Sequence, residues 1–106
     1  MKLQSAIFNL VLISSLSSFA AAESKSHRGA AVYASSGCSH CHTIRNVGGN
    51  KGPDLSGVGR KMKKDQLRQQ IIKGSAQMPA FGEILQESEI KDLVAYLHSC
   101  RDKKGK

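Results

Sequence analysis

The chain has 106 residues, with 16 Lys+Arg against 8 Asp+Glu, a net charge of +8 with histidine neutral, three cysteines and no tryptophan. That length allows one small domain behind a leader and excludes a multidomain architecture. A domain of this size buries only about 60–65% of its unfolded surface, so a staple, metal or cofactor is expected to complete its core.

In chain order, Met1-Lys2 is a short positive start and residues 3–16 form an apolar run. Ser17-Ser18-Phe19-Ala20-Ala21-Ala22 then ends in an Ala-x-Ala cleavage pattern. Residues 1–22 are therefore expected to be a secretory signal, leaving residues 23–106 as the mature domain in the periplasm. An uncleaved anchor is the alternative, but Gln4, Asn9 and several serines dilute a run that must supply about 20 apolar residues. The leader holds one lysine, so the mature 84 residues carry +7. An exported basic protein is not suited to nucleic acid; its charge points to acidic protein partners or, weakly, to an anionic membrane surface.

The mature region shows no repeat, no low-complexity tract and no sustained strand alternation, and three segments have helical periodicity. An all-α fold is predicted. The first helix is expected over 26–36, with Gly29, Val32 and Tyr33 on one face and Gly37 as its stop. Residues 48–59 are dense in glycine and turn formers and read as irregular loop. A second helix is expected over 65–73, with Asp65 as N-cap, Leu67, Ile71 and Ile72 inward and Gly74 at its end. The last helix is expected over 87–100, where Ile90, Leu93, Val94 and Leu97 form a stripe. Residues 101–106 read as a basic, disordered tail.

The chemistry lies in Cys38-Ser39-His40-Cys41-His42, a C-x-x-C-H sequence that in an exported chain signals covalent attachment of c-type haem. In one helical turn Cys38, Cys41 and His42 stand at i, i+3 and i+4, so two thiols and an imidazole share a face. The thiols suit the haem vinyl groups and the imidazole suits the iron. His40 falls elsewhere and reads as a solvent-facing spacer.

With these motifs in this order, the mature region resembles the small bacterial class I monohaem cytochromes c over nearly its whole length. The resemblance matches Gly29 and Tyr33 to the family's N-terminal helix, which packs on the C-terminal helix carrying Leu93 and Tyr96. It matches Gly52-Pro53-Asp54-Leu55 to the loop whose proline carbonyl accepts the axial histidine's Nδ1–H, so Pro53 is expected to orient His42. Ala76-Gln77-Met78-Pro79-Ala80-Phe81-Gly82 resembles the Met-Pro loop, making Met78 the expected sixth ligand; Pro79 biases Met78 away from helix. The resemblance implies three main helices wrapped around one haem, and His/Met ligation of an electron carrier rather than an enzyme. Both ligands stay bound while one electron tunnels from the haem edge. Lys51, Arg60, Lys61, Lys63, Lys64 and Lys73 cluster in sequence around the expected haem loops and would steer an acidic redox partner.

Other readings use the same residues. Zinc would take Cys38, Cys41 and His42 with a fourth ligand such as Cys100, although adjacent Cys-His suits a tetrahedral site poorly. A dithiol oxidoreductase would use Cys38 and Cys41 but normally sits near a βαβ pattern. A haem enzyme or gas sensor requires an open iron position, and a haem subunit of a larger dehydrogenase is a further alternative. Met62, His98 and His27 are the other candidate sixth ligands. Cys100 reads either as a small apolar residue continuing the last helix's stripe or as the link of a covalent dimer.

Overall fold

The computed structural model describes residues 24–103. Four α-helices follow in order: α1 (Lys25–Ser35), α2 (Val58–Lys61), α3 (Lys64–Lys73) and α4 (Glu87–Ser99), with single 3₁₀ turns at Cys38–His40 and Phe81–Glu83. The leader 1–22 and the last residues of the basic tail lie outside the described residues.

The crossing of α1 and α4 is the centre of the molecule. A Cβ added at Gly29 would overlap the Asp92 carbonyl oxygen of α4 and lie 2.6 Å from the Cβ of Tyr96, so only glycine permits this approach. One turn further along, the rings of Tyr33 and Tyr96 meet at a centroid distance of 5.6 Å and a tilt of 57°. Arg28 Nε donates to Asp92 Oδ2 at 3.1 Å on the rim. Val32 and Tyr33 from α1 join Ile90, Leu93, Val94 and Leu97 from α4 in the core, with Leu93 only 1% exposed. The faces expected on α1 and α4 are the buried faces.

Each helix end has a local cause. Ser24 Oγ accepts the His27 amide and caps α1, which runs one residue earlier than its periodicity indicated. Asp65 is not the cap of α3. That position belongs to Lys63, whose amide donates to Gln66 Oε1 at 2.8 Å, and Asp65 lies in the first turn, where its charge complements the helix dipole. Leu67 and Ile71 are buried, and Ile72 packs half-exposed on the core. Glu89 reaches back to the Gln86 amide at 3.0 Å and starts α4, which ends at Ser99 with Cys100 as its C-cap.

Three features escape the helical reading. Thr43–Ile44 pairs antiparallel with Val47–Gly48 through a two-residue turn, Arg45-Asn46, in which both residues have left-handed φ (51° and 67°). Two-residue strands are too short to show alternation. The glycine-rich stretch 48–59 contains the start of α2, a four-residue helix whose Val58 is buried. The third is the stretch 100–102, which is tied down rather than disordered: Gly59 N–H donates to the Cys100 carbonyl and Asp102 N–H to the Ser56 carbonyl. Cys100 itself is 2% exposed and directs its thiol toward the Tyr96 carbonyl.

Because the helices meet without room for a methyl group, Gly29→Val should lower the stability of the haem-loaded protein by about 1–3 kcal/mol through overpacking. Denaturant melts followed by far-UV circular dichroism check this; an unchanged midpoint would show that the crossing relaxes at no cost.

Candidate functional site

The site begins where α1 stops. Gly37 takes a left-handed φ of 77°, which turns the chain out of the helix and into the 3₁₀ turn at Cys38. The Cys41 and His42 amides then both donate to the Cys38 carbonyl, at 3.2 and 3.0 Å, closing one tight turn. Cys38, Cys41 and His42 are thereby gathered on that turn, all three half-buried, while His40 is exposed. Burial pushes the Cys38 thiol above its ordinary pKa.

The imidazole of His42 is held by the loop that follows the hairpin. Its Nδ1 lies 2.8 Å from the Pro53 carbonyl oxygen. A carbonyl can only accept, so Nδ1 carries the proton in this contact, and in the neutral ring Nε2 is the nitrogen with the lone pair. Gly52 makes this placement sterically feasible, since a Cβ there would stand 2.6 Å from Cε1 and 2.8 Å from Nδ1 of the ring. Backbone bonds bracket the contact on both sides: Gly52 N–H to the Cys41 carbonyl at 2.7 Å, and Leu55 N–H to the Thr43 carbonyl at 2.8 Å. Tyr33 Oη donates to the His42 carbonyl at 3.4 Å, linking the ring's own residue to the α1/α4 crossing.

Met78 is held by a different part of the fold. After Gly74 ends α3, the Ser75 amide donates to the Met78 carbonyl at 2.9 Å and closes a compact turn. The Met78 side chain packs half-buried on the core, and Gln70 Nε2 of α3 lies 3.7 Å from its sulfur. The alternative ligands have other occupations. Met62 packs on the core beside α2, His98 is half-buried within α4, and His27 sits exposed in the first turn of α1.

The chain matches the family model described as cytochrome c oxidase, cbb3-type, subunit III, over residues 24–97. It belongs to this cytochrome c family. A solved structure similar to it is the c-type cytochrome SorU from Sinorhizobium meliloti, at 26% identity and a TM-score of 0.61, covering 73% of this chain and 91% of that one. A comparison with curated protein sequences gives no match. The protein is a small monohaem cytochrome c of all-α type, its cofactor is covalently bound haem c, and its business is haem-based electron transfer.

The residues of this cytochrome fit that cofactor. Two thiols and an imidazole stand on one turn, and Cys38, Leu55, Met62, Ile72, Met78, Leu85 and Tyr96 are apolar residues that pack on the core while only partly buried. Among the described residues no three His, Cys, Asp or Glu side chains are grouped to hold a bare metal ion, and Cys100 is engaged at the end of α4. The only sheet among them is the two-stranded hairpin, which gives no βαβ scaffold for a dithiol enzyme.

Sequence reasoning did not find Tyr33 Oη or Gln70 as neighbours of the site. Tyr33 was legible only as a packing residue, and nothing local connects Gln70 with a methionine eight positions later.

Burial pushes the Tyr33 phenol up to about 12, chiefly by desolvation. A phenol with a folded pKa above its unfolded value of about 10 contributes stability that is complete below pH 10 and is lost as pH rises through about 12. Denaturant midpoints should therefore fall over that window, and Tyr33→Phe should show a smaller fall than wild type.

Proposed function

We propose that the protein is a periplasmic one-electron carrier in which Cys38 and Cys41 hold the haem through thioethers, and His42 and Met78 are the axial ligands. The observation that carries this reading is the 2.8 Å contact from His42 Nδ1 to the Pro53 carbonyl. It commits the imidazole to one tautomer and leaves Nε2 as the ligating atom, with Pro53 raising its basicity. The bound haem supplies a ferric/ferrous couple. The polypeptide supplies a fixed setting for it: a turn anchored by three backbone bonds, a thioether on a separate loop, and a helix crossing that resists rearrangement. With both axial positions filled from the chain, no site is left for substrate, which favours a carrier over an enzyme or gas sensor.

The exported location rests on the leader pattern in residues 1–22. No helix among the described residues is long and apolar enough to cross a membrane. Burial of Cys100 supports its reading as a small core residue rather than the link of a dimer. A second reading, a fixed subunit of a larger complex, is favoured by the description of the family model as an oxidase subunit. Copurification of untagged partners separates a free carrier from a subunit.

Lys51, Arg60, Lys61, Lys63, Lys64 and Lys73 are all exposed and available to steer an acidic partner. Reaction with such a partner should slow as ionic strength rises; a rate independent of salt in stopped-flow measurements would remove steering from the account.

Ligation is tested by absorption spectra of the oxidised and reduced holoprotein. Wild type should be low-spin with a sulfur-to-iron charge-transfer band, and Met78→Ala should lose that band and open the iron to added ligands. A mutant identical to wild type would exclude Met78. Cys38→Ser with Cys41→Ser should leave no haem attached on a denaturing gel.

A further inference from the structure

The haem-motif turn and the proline loop are joined by three rungs. Gly52 N–H donates to the Cys41 carbonyl at 2.7 Å, Leu55 N–H to the Thr43 carbonyl at 2.8 Å, and Arg45 N–H to Ser56 Oγ at 2.7 Å. The first two enclose His42 and Pro53. The third closes the far end of the ladder at the surface, where hydrogen-bonded ladders open first.

A residue from the other end of the chain spans this last rung. The Asp102 amide donates to the Ser56 carbonyl at 3.0 Å, and its carboxylate accepts from Arg45 Nε at 3.0 Å and Nη2 at 3.5 Å. One residue thus grips both sides of the rung, one through its backbone and the other through its charge. The neighbouring bonds hold it in place: the Arg101 guanidinium donates to the Gly59 carbonyl at 2.6 Å, and Gly59 N–H to the Cys100 carbonyl at 2.8 Å. The Asp102–Arg45 pair is exposed, at 43% and 65% of the side-chain surface, so salt screens it.

We infer that Asp102 is a positioning residue for His42: by clamping Arg45 to Ser56 it keeps the ladder shut and so keeps the Pro53 carbonyl on Nδ1–H. This rests on His42 being the axial ligand. A tightly held Nδ1–H makes the imidazole a better electron donor and favours ferric iron. Loosening the clamp therefore raises the reduction potential and lets solvent reach the Nδ1 proton more often.

The test uses the ferrous holoprotein, reading hydrogen exchange of the His42 Nδ1 proton by NMR and the potential by redox titration, each at low and high salt. Asp102→Asn keeps the backbone bond but loses the charge. It should exchange about two- to fivefold faster than wild type at low salt, with a higher potential. Wild type should approach the variant as salt rises, a measurement that needs no variant to fold. Arg45→Glu combined with Asp102→Arg should restore slow exchange. Equal exchange and potential in wild type and Asp102→Asn at low salt would overturn the inference, as would a wild type insensitive to salt. If His42→Ala kept the low-spin spectrum, the ligand assignment itself would fall and the inference with it; the spectrum thus separates the two failures.

Discussion

The missing side chain of Gly29 is the constraint on which the rest of this molecule depends. Because α1 and α4 approach at that point to within the thickness of a backbone, Tyr33 and Tyr96 come into ring contact and the direction of α1 is fixed. Only Ser36 and Gly37 separate the end of α1 from the haem-motif turn, so its orientation is inherited from the crossing. Tyr33 makes the inheritance direct, packing on α4 with its ring and donating to the His42 carbonyl with its hydroxyl.

The two halves of the site are built by different means. His42 is set by backbone: a one-turn closure on the Cys38 carbonyl, two bracketing amide bonds and a carbonyl acceptor, with Gly52 giving way to the ring. Backbone bonds are short and stiff, and the imidazole they position has little freedom left. Met78 is set by packing and by its own small turn, with the flexible side chain of Gln70 lying 3.7 Å from its sulfur. Of the two proposed donors, the thioether is the soft, unbranched side chain and the more adaptable of the pair.

The legibility of these parts in the sequence follows their physics. Helical faces were readable because burial selects side chains at a fixed spacing, as with Ile90, Leu93, Val94 and Leu97. The C-x-x-C-H motif was readable because its chemistry is compressed into one turn. The contact of Pro53 with His42 was expected only through the family resemblance, since no periodicity connects residues 11 apart. The N-cap of α3 was misplaced because Asp65 looks like a cap, whereas the cap amide at Lys63 is satisfied by Gln66 from within the helix. The hairpin and the strap 100–102 were missed for a common reason. Neither follows a periodic pattern: the hairpin is held by backbone pairing, and the strap joins backbone bonds to the Arg101–Gly59 and Asp102–Arg45 contacts, whose partners lie 42 and 57 positions apart.

Cys100 links the folded structure to the order of events that makes it. In the native state Cys100 is 2% exposed, burial pushes its thiol pKa up, and Sγ is turned toward the Tyr96 carbonyl, so it is shielded where Cys38 and Cys41 are only half-buried. That shielding comes from the finished α1/α4 crossing. In an unfolded chain under oxidising conditions, nothing distinguishes Cys100 from Cys38 or Cys41, and any disulfide it forms with either removes a thiol that haem attachment requires. With Cys38 and Cys41 as the proposed attachment pair, a chain whose α4 has not docked carries a third thiol able to compete for them, and docking of α4 buries that competitor.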